Sequence, residues 1–107
     1  MAAKVLGQLA PASGVYTTAL YTTPAGKEAI SSSLTATNRA ATADTIRIRI
    51  AVSNAATDDK QWIAYDVPVL AKSIVPFTLG ITLGAGDVVY AGSSAGSITF
   101  QLFGEER

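Results

Sequence analysis

The residues of this 107-residue chain that could do chemistry are few and scattered. Asp58-Asp59, with Asn54 nearby, offers oxygen ligands. Calcium takes about six to eight oxygens, usually from acidic side chains alternating along a loop, so this pair reads as a solvated turn. Gly80 and Gly84-Ala85-Gly86 invite comparison with phosphate cradles. Such cradles need Gly-x-Gly-x-x-Gly, or Gly-x-x-x-x-Gly-Lys-Ser/Thr, between a strand and a helix. Here no Lys follows and the next segment reads as a strand, so a turn is expected. A Ser–Lys dyad would need Lys27 with Ser31, or Lys72 with Ser73, and a desolvated amine in a cleft. Asp66 and Asp87 would have to face each other across a cleft to share acid–base work. Nothing in their spacing favours that over two surface turns.

Composition removes more. There is no His and no Cys. The usual general base and metal ligand are missing, as are disulfides, thiolate–metal sites and thiol nucleophiles. Eight Lys/Arg balance eight Asp/Glu, and this neutrality lacks the basic footprint of a nucleic-acid binder. The expectation is a non-enzymatic protein with no metal or other cofactor. Charged residues are only 15% of the chain against 49% hydrophobic. Surfaces rich in Ala, Ser and Thr but poor in charge favour association.

These residues need a scaffold, and the length gives one domain, residues 1–107. Gly7, Gln8 and Pro11 interrupt the N-terminal apolar run, so neither a signal peptide nor a membrane span is expected. Synthesis in a cytoplasm follows.

Strand signals recur every ten or so residues between Gly, Pro and Ser turns. Thr45–Ser53 is the clearest: Ile46, Ile48, Ile50 and Val52 fall on one face, Arg47 and Arg49 on the other. Ser97–Phe103 alternates likewise, with Ile98, Phe100 and Leu102 inward. The segments Lys4–Leu9, Val15–Thr23, Glu28–Thr37, Gln61–Val67, Ser73–Leu83 and Asp87–Ala91 complete about eight strands. Pro76 places Ser73–Leu83 at an edge or a bulge, because Pro cannot donate to a ladder. An all-β, antiparallel β-sandwich is expected, jelly-roll-like, with a seven-stranded immunoglobulin-like sandwich close behind. Phe77 and Leu79 join the isoleucines, Phe100 and Leu102 in the expected core.

Several residues are candidates for partner contact. Arg47 and Arg49 read as a solvated sheet face, or as contacts to an acidic partner. Trp62 and Tyr65 fall on opposite faces of a regular strand; one should enter the core and the other anchor a partner. Residues 1–12 form either an edge strand or an arm that buries Val5, Leu6 and Leu9 on a neighbour.

One set of segments carries a resemblance. It comprises Leu20-Tyr21-Thr22-Thr23-Pro24-Ala25-Gly26-Lys27, Ser33-Leu34-Thr35-Ala36-Thr37-Asn38-Arg39, Ile46-Arg47-Ile48-Arg49-Ile50, Ile63-Ala64-Tyr65-Asp66-Val67-Pro68 and Ile81-Thr82-Leu83-Gly84-Ala85-Gly86-Asp87-Val88-Val89-Tyr90. The set resembles the small β-sandwich structural proteins of tailed bacteriophages, frequent in phages of cyanobacteria. The resemblance implies a virion protein, foremost a capsid cement or decoration protein that stabilises the shell as a homotrimer. Its partners would be copies of itself and the major capsid protein or another virion protein; neither nucleic acid nor membrane is expected from the neutral composition and the short apolar runs. The alternative it implies is a tail-fibre or baseplate module contacting host glycans, with Trp62, Asp58 and Asp59 as the candidate site. A cellular adhesin is a third reading and would need a secretion route.

Overall fold

A computed structural model describes residues 2–107. Nine strands follow in order: β1 (Ala2–Leu9), β2 (Ala19–Thr22), β3 (Ala29–Asn38), β4 (Asp44–Ala51), β5 (Trp62–Val69), β6 (Ile74–Phe77), β7 (Ile81–Leu83), β8 (Val88–Ser93) and β9 (Ile98–Glu106). Short 3₁₀ turns at Val52–Asn54 and Asp59–Gln61 interrupt the loop between β4 and β5.

All strand pairings are antiparallel, and they nest. β4 pairs with β5, β3 with both β6 and β7, β2 with β8, and β1 with β9. The chain is thus one long hairpin rolled into two sheets. One sheet runs β1-β9-β3-β6, with β7 also on β3; the other runs β2-β8-β4-β5. This nested order is that of a jelly roll and separates it from an immunoglobulin-like sandwich.

Nine strands appear where the sequence suggests eight because Ser73–Leu83 is split. Four residue steps separate Phe77 from Ile81, but only three separate their β3 partners Leu34 and Ser31. The surplus leaves the ladder between β6 and β7. Leu79 sits in that break and is 42% exposed, which corrects its assignment to the core. Phe77 and Ile50 are partly buried and pack against the core from its margin. Val52 opens a 3₁₀ turn instead of continuing β4, and it is 65% exposed. Pro76 lies on β6, an outer strand with β3 as its partner, where the missing N–H costs no ladder bond.

Leu34, Ile46, Ile48, Val69, Leu83, Val89, Ile98, Phe100 and Leu102 fill the space between the sheets. β1 is an edge strand of its own sheet, not an arm (Met1, part of the expected arm, lies outside the described residues). Leu6 and Leu9 pack on this chain's own core, so they are not free for a neighbour. Val5 is exposed. At Gly7 the two sheets close on each other: a methyl group there would stand 2.1 Å from Leu20 O, so only glycine permits this approach. Nearby, Tyr21 of β2 donates to Glu106 of β9 at 2.6 Å, which ties one sheet to the other. Burial, and then Glu106, push the Tyr21 phenol up to about 12.

At one end of the sandwich, Asp44 is buried at the start of β4. Its carboxylate accepts from Thr45 N, Ala95 N and Ser97 N, and from Ser97 Oγ. Burial alone would raise its pKa, but the donors from Ala95, Thr45, Ser93 and Ser97 outweigh it and hold the carboxyl below its ordinary value. Asn38 lies alongside: its Nδ2 donates to Thr42 O and Val69 O, while its Oδ1 accepts from Ala40 N and shares the single Ser97 hydroxyl hydrogen with Asp44.

Two predictions follow from this packing. Phe100 is fully buried, and Phe100→Ala should cost about 3–5 kcal/mol in urea unfolding. Asp44→Asn should cost about 1–3 kcal/mol, because an amide leaves buried N–H groups without an acceptor. A carboxyl whose folded pKa lies below its unfolded value stabilises the fold above the unfolded value, about pH 4. That stabilisation is lost as pH falls through the folded value. The wild type should therefore lose stability below about pH 4, and Asp44→Asn should flatten this limb, leaving the part due to Glu106 and Asp66, whose carboxyls are also held low. Equal acid slopes in the two proteins would contradict the assignment.

Candidate functional site

The outer face of the β2-β8-β4-β5 sheet gathers the chain's Trp, three of its four Tyr and two of its four Arg. β4 supplies Arg47 and Arg49, both facing away from Ile46 and Ile48 as the alternation predicts. Across the ladder, Arg47 is opposite Tyr65 and Arg49 is opposite Trp62. Two bulges in β5 produce this match. Asp66 is the extra residue between Val67 and Tyr65, and Ile63 is the extra residue between Ala64 and Trp62. Each bulge resets the alternation by one residue. Trp62 and Tyr65 therefore share a face, which corrects the expectation that one of them enters the core. Their rings meet edge to face with centroids 5.2 Å apart, and Tyr65 is 55% exposed.

Arg47 lies at the centre of the face. Its guanidinium stands 4.2 Å from the Tyr65 ring centroid and 4.6 Å from that of Tyr16. Its Nε and Nη2 donate to the two carboxylate oxygens of Asp66 at 2.7 Å and 3.3 Å. These hydrogen bonds hold the guanidinium above its ordinary pKa and the Asp66 carboxyl below its own. Tyr16 reaches Arg47 because its segment crosses over β8 at Gly92. A methyl group at Gly92 would stand 2.2 Å from Val15 O and 2.8 Å from Tyr16 Cδ1.

Arg49 differs. It is only 5% exposed, and so does not present the solvated side chain the sequence suggests. Its guanidinium lies 4.0 Å from the Tyr90 ring centroid, and its Nη1 donates to Gln61 Oε1 at 2.9 Å. Gln61 is fixed in turn: it closes a capping box with Asp58, and its Nε2 donates to Ala56 O. Tyr90 donates to Asn54 Oδ1, which holds the loop after β4 against the face.

The other chemical candidates are already engaged. Asp58 Oδ1 accepts from Lys60 N as a helix cap. Ser31 is buried and donates to Phe103 O, while Lys72 donates to Arg39 O and Ser73 to Ala71 O. Neither Ser–Lys pair forms. Asp66 is bound to Arg47, and Asp87 accepts from Ser53 N and Gly84 N in its turn. No group of three or more His, Cys, Asp or Glu that could hold a metal ion occurs among the described residues.

Sequence reasoning missed Tyr16, Gln61, Tyr90 and Gly92 as members of this face. Tyr90 had a signal, since Val89 and Ala91 on either side of it point inward. Tyr16 had none, because it precedes β2 and no strand period applies. Comparison with protein-family models, with curated proteins and with solved structures finds no match.

The close approach at Gly92 is testable. Gly92→Val should displace the Val15–Tyr16 segment and cost about 1–3 kcal/mol by overpacking. Tyr16 fluorescence or side-chain NMR should report loss of its contact with Arg47. A variant as stable as wild type, with Tyr16 unmoved, would contradict the crossing.

Proposed function

We propose that the chain is a non-enzymatic structural subunit of a phage virion, a capsid cement or decoration protein that docks as a homotrimer. The observation that carries this reading is the outer face of the β2-β8-β4-β5 sheet. It holds the only Trp, three of the four Tyr and two Arg. Trp, Tyr and Arg are the residues that dominate binding energy at protein interfaces. They are pre-ordered here by cation–π stacking and the Arg47–Asp66 pair, so little side-chain freedom remains to be lost on docking. Low charge density adds to the tendency to associate, and a jelly roll offers rigid sheets on which such a face stays fixed. The virion assignment itself comes from the sequence resemblance.

A tail-borne module contacting glycans is the second reading, favoured by the exposed Tyr65 beside Trp62. It is weakened because the Asp58 carboxylate already caps its own turn and Arg47 covers the Tyr65 ring.

Sedimentation equilibrium should give three times the 11.0 kDa chain mass. The purified chain should pellet with phage capsids stripped of it, and Tyr65→Ala should weaken that attachment about tenfold or more. A chain that stays monomeric at high concentration and ignores capsids would defeat the proposal. Density on the tail in cryo-electron microscopy of the native virion would select the second reading.

A further inference from the structure

We infer that the Nε–Nη2 edge of Arg49 is a receptor for a carboxylate presented by a docked protein surface. The chain contains its own template for such a site. Arg47 and Arg49 are two residues apart on one strand, each faces an aromatic residue of β5, and each pairing is followed by a bulge residue. At the first bulge that residue is Asp66, and its carboxylate takes the Nε–Nη2 edge of Arg47 in a fork. At the second it is Ile63, which cannot neutralise a cation. Arg49 keeps the remaining parts of the arrangement: a tyrosine ring on its guanidinium plane and a fixed acceptor on Nη1.

What Arg49 lacks is the anion. Among the described residues it makes no ion pair, and Gln61 is its hydrogen-bond acceptor. Among the described residues, Thr23 Oγ1 is the fully enclosed side-chain polar atom without a partner. The unpartnered Arg49 nitrogens are not enclosed in that way, so they keep the small solvent contact left to this 5% exposed residue. A guanidinium this far withdrawn from water is costly unless it is paired. With one Nη1 hydrogen given to Gln61, the side-on Nε–Nη2 fork is the edge with both donors free, and it matches the two oxygens of a carboxylate.

The source of the carboxylate rests on the docking reading above. An ion pair left open to solvent contributes little. One closed over by an interface, with Tyr90 and Trp62 around it, is strong and sets register. Because Arg49 is already mostly desolvated, docking an Asp or Glu there adds little further desolvation on this side.

The test uses the side-chain Nε–Hε NMR signals of the ¹⁵N-labelled chain, assigned with Arg47→Lys and Arg49→Lys. Sodium acetate is titrated at neutral pH against sodium chloride at equal ionic strength. The Arg49 signal should move saturably and several-fold further with acetate than with chloride. The Arg47 signal should stay, because Asp66 occupies its fork. Equal responses to the two salts, or equal responses of the two arginines, overturn the receptor. This titration on wild-type protein needs no virion, so it can succeed even if the docking reading fails. In the capsid pelleting assay, Arg49→Lys keeps the charge and loses the fork, and attachment should weaken several-fold. Unchanged attachment, with the acetate response intact, overturns the protein-borne source of the carboxylate.

Discussion

The buried carboxylate of Asp44 is the constraint on which this end of the jelly roll depends. A rolled hairpin brings together connections that are far apart in sequence, and their backbone N–H groups lose water without gaining a ladder. Asp44 gathers those of the β8–β9 connection at Ala95 and Ser97. Asn38, through Ser97, extends the same cluster to the turns after β3 and β5. Burial of a charge is tolerated here because three backbone N–H groups converge on it. The result fixes where β4 begins, and β4 carries both arginines of the outer face.

From that starting point the face follows by register. β4 runs with regular alternation, so its isoleucines enter the core and its arginines leave it. β5 cannot match β4 residue for residue and absorbs the difference in two bulges. Those bulges bring Trp62 and Tyr65 to the same side and decide which arginine has a carboxylate of its own. The same bulges, with Pro68, also make β5 a poor template for adding another strand. Association through the face, by side chains, is favoured over association through this edge.

Much of the fold was legible in the sequence. Period-two alternation in Thr45–Ser53 and Ser97–Phe103 located one interior strand of each sheet, β4 and β9, and the Gly/Pro/Ser turns marked the remaining segments. Pro76 correctly marked an outer strand. The alternation failed where a ladder took in an extra residue: at Leu79, which the split between β6 and β7 turns outward, and at Trp62 and Tyr65. Bulges leave no mark in a single sequence, because the extra residue is surplus only relative to its partner strand.

The sequence by itself determined composition and local period: an all-β chain, a core of alternating isoleucine, leucine and phenylalanine, and an arginine pair on the opposite face of its clearest strand. Tertiary structure alone decided the rest. It chose the nested strand pairing, drew Leu6 and Leu9 into this chain's own core, and stacked Tyr16 and Tyr90 on arginines distant in sequence. It also paired Arg47 with Asp66 and left Arg49 without a carboxylate. The physical reason is that alternation says which way a side chain points, whereas charge pairing and stacking depend on what another strand places opposite it.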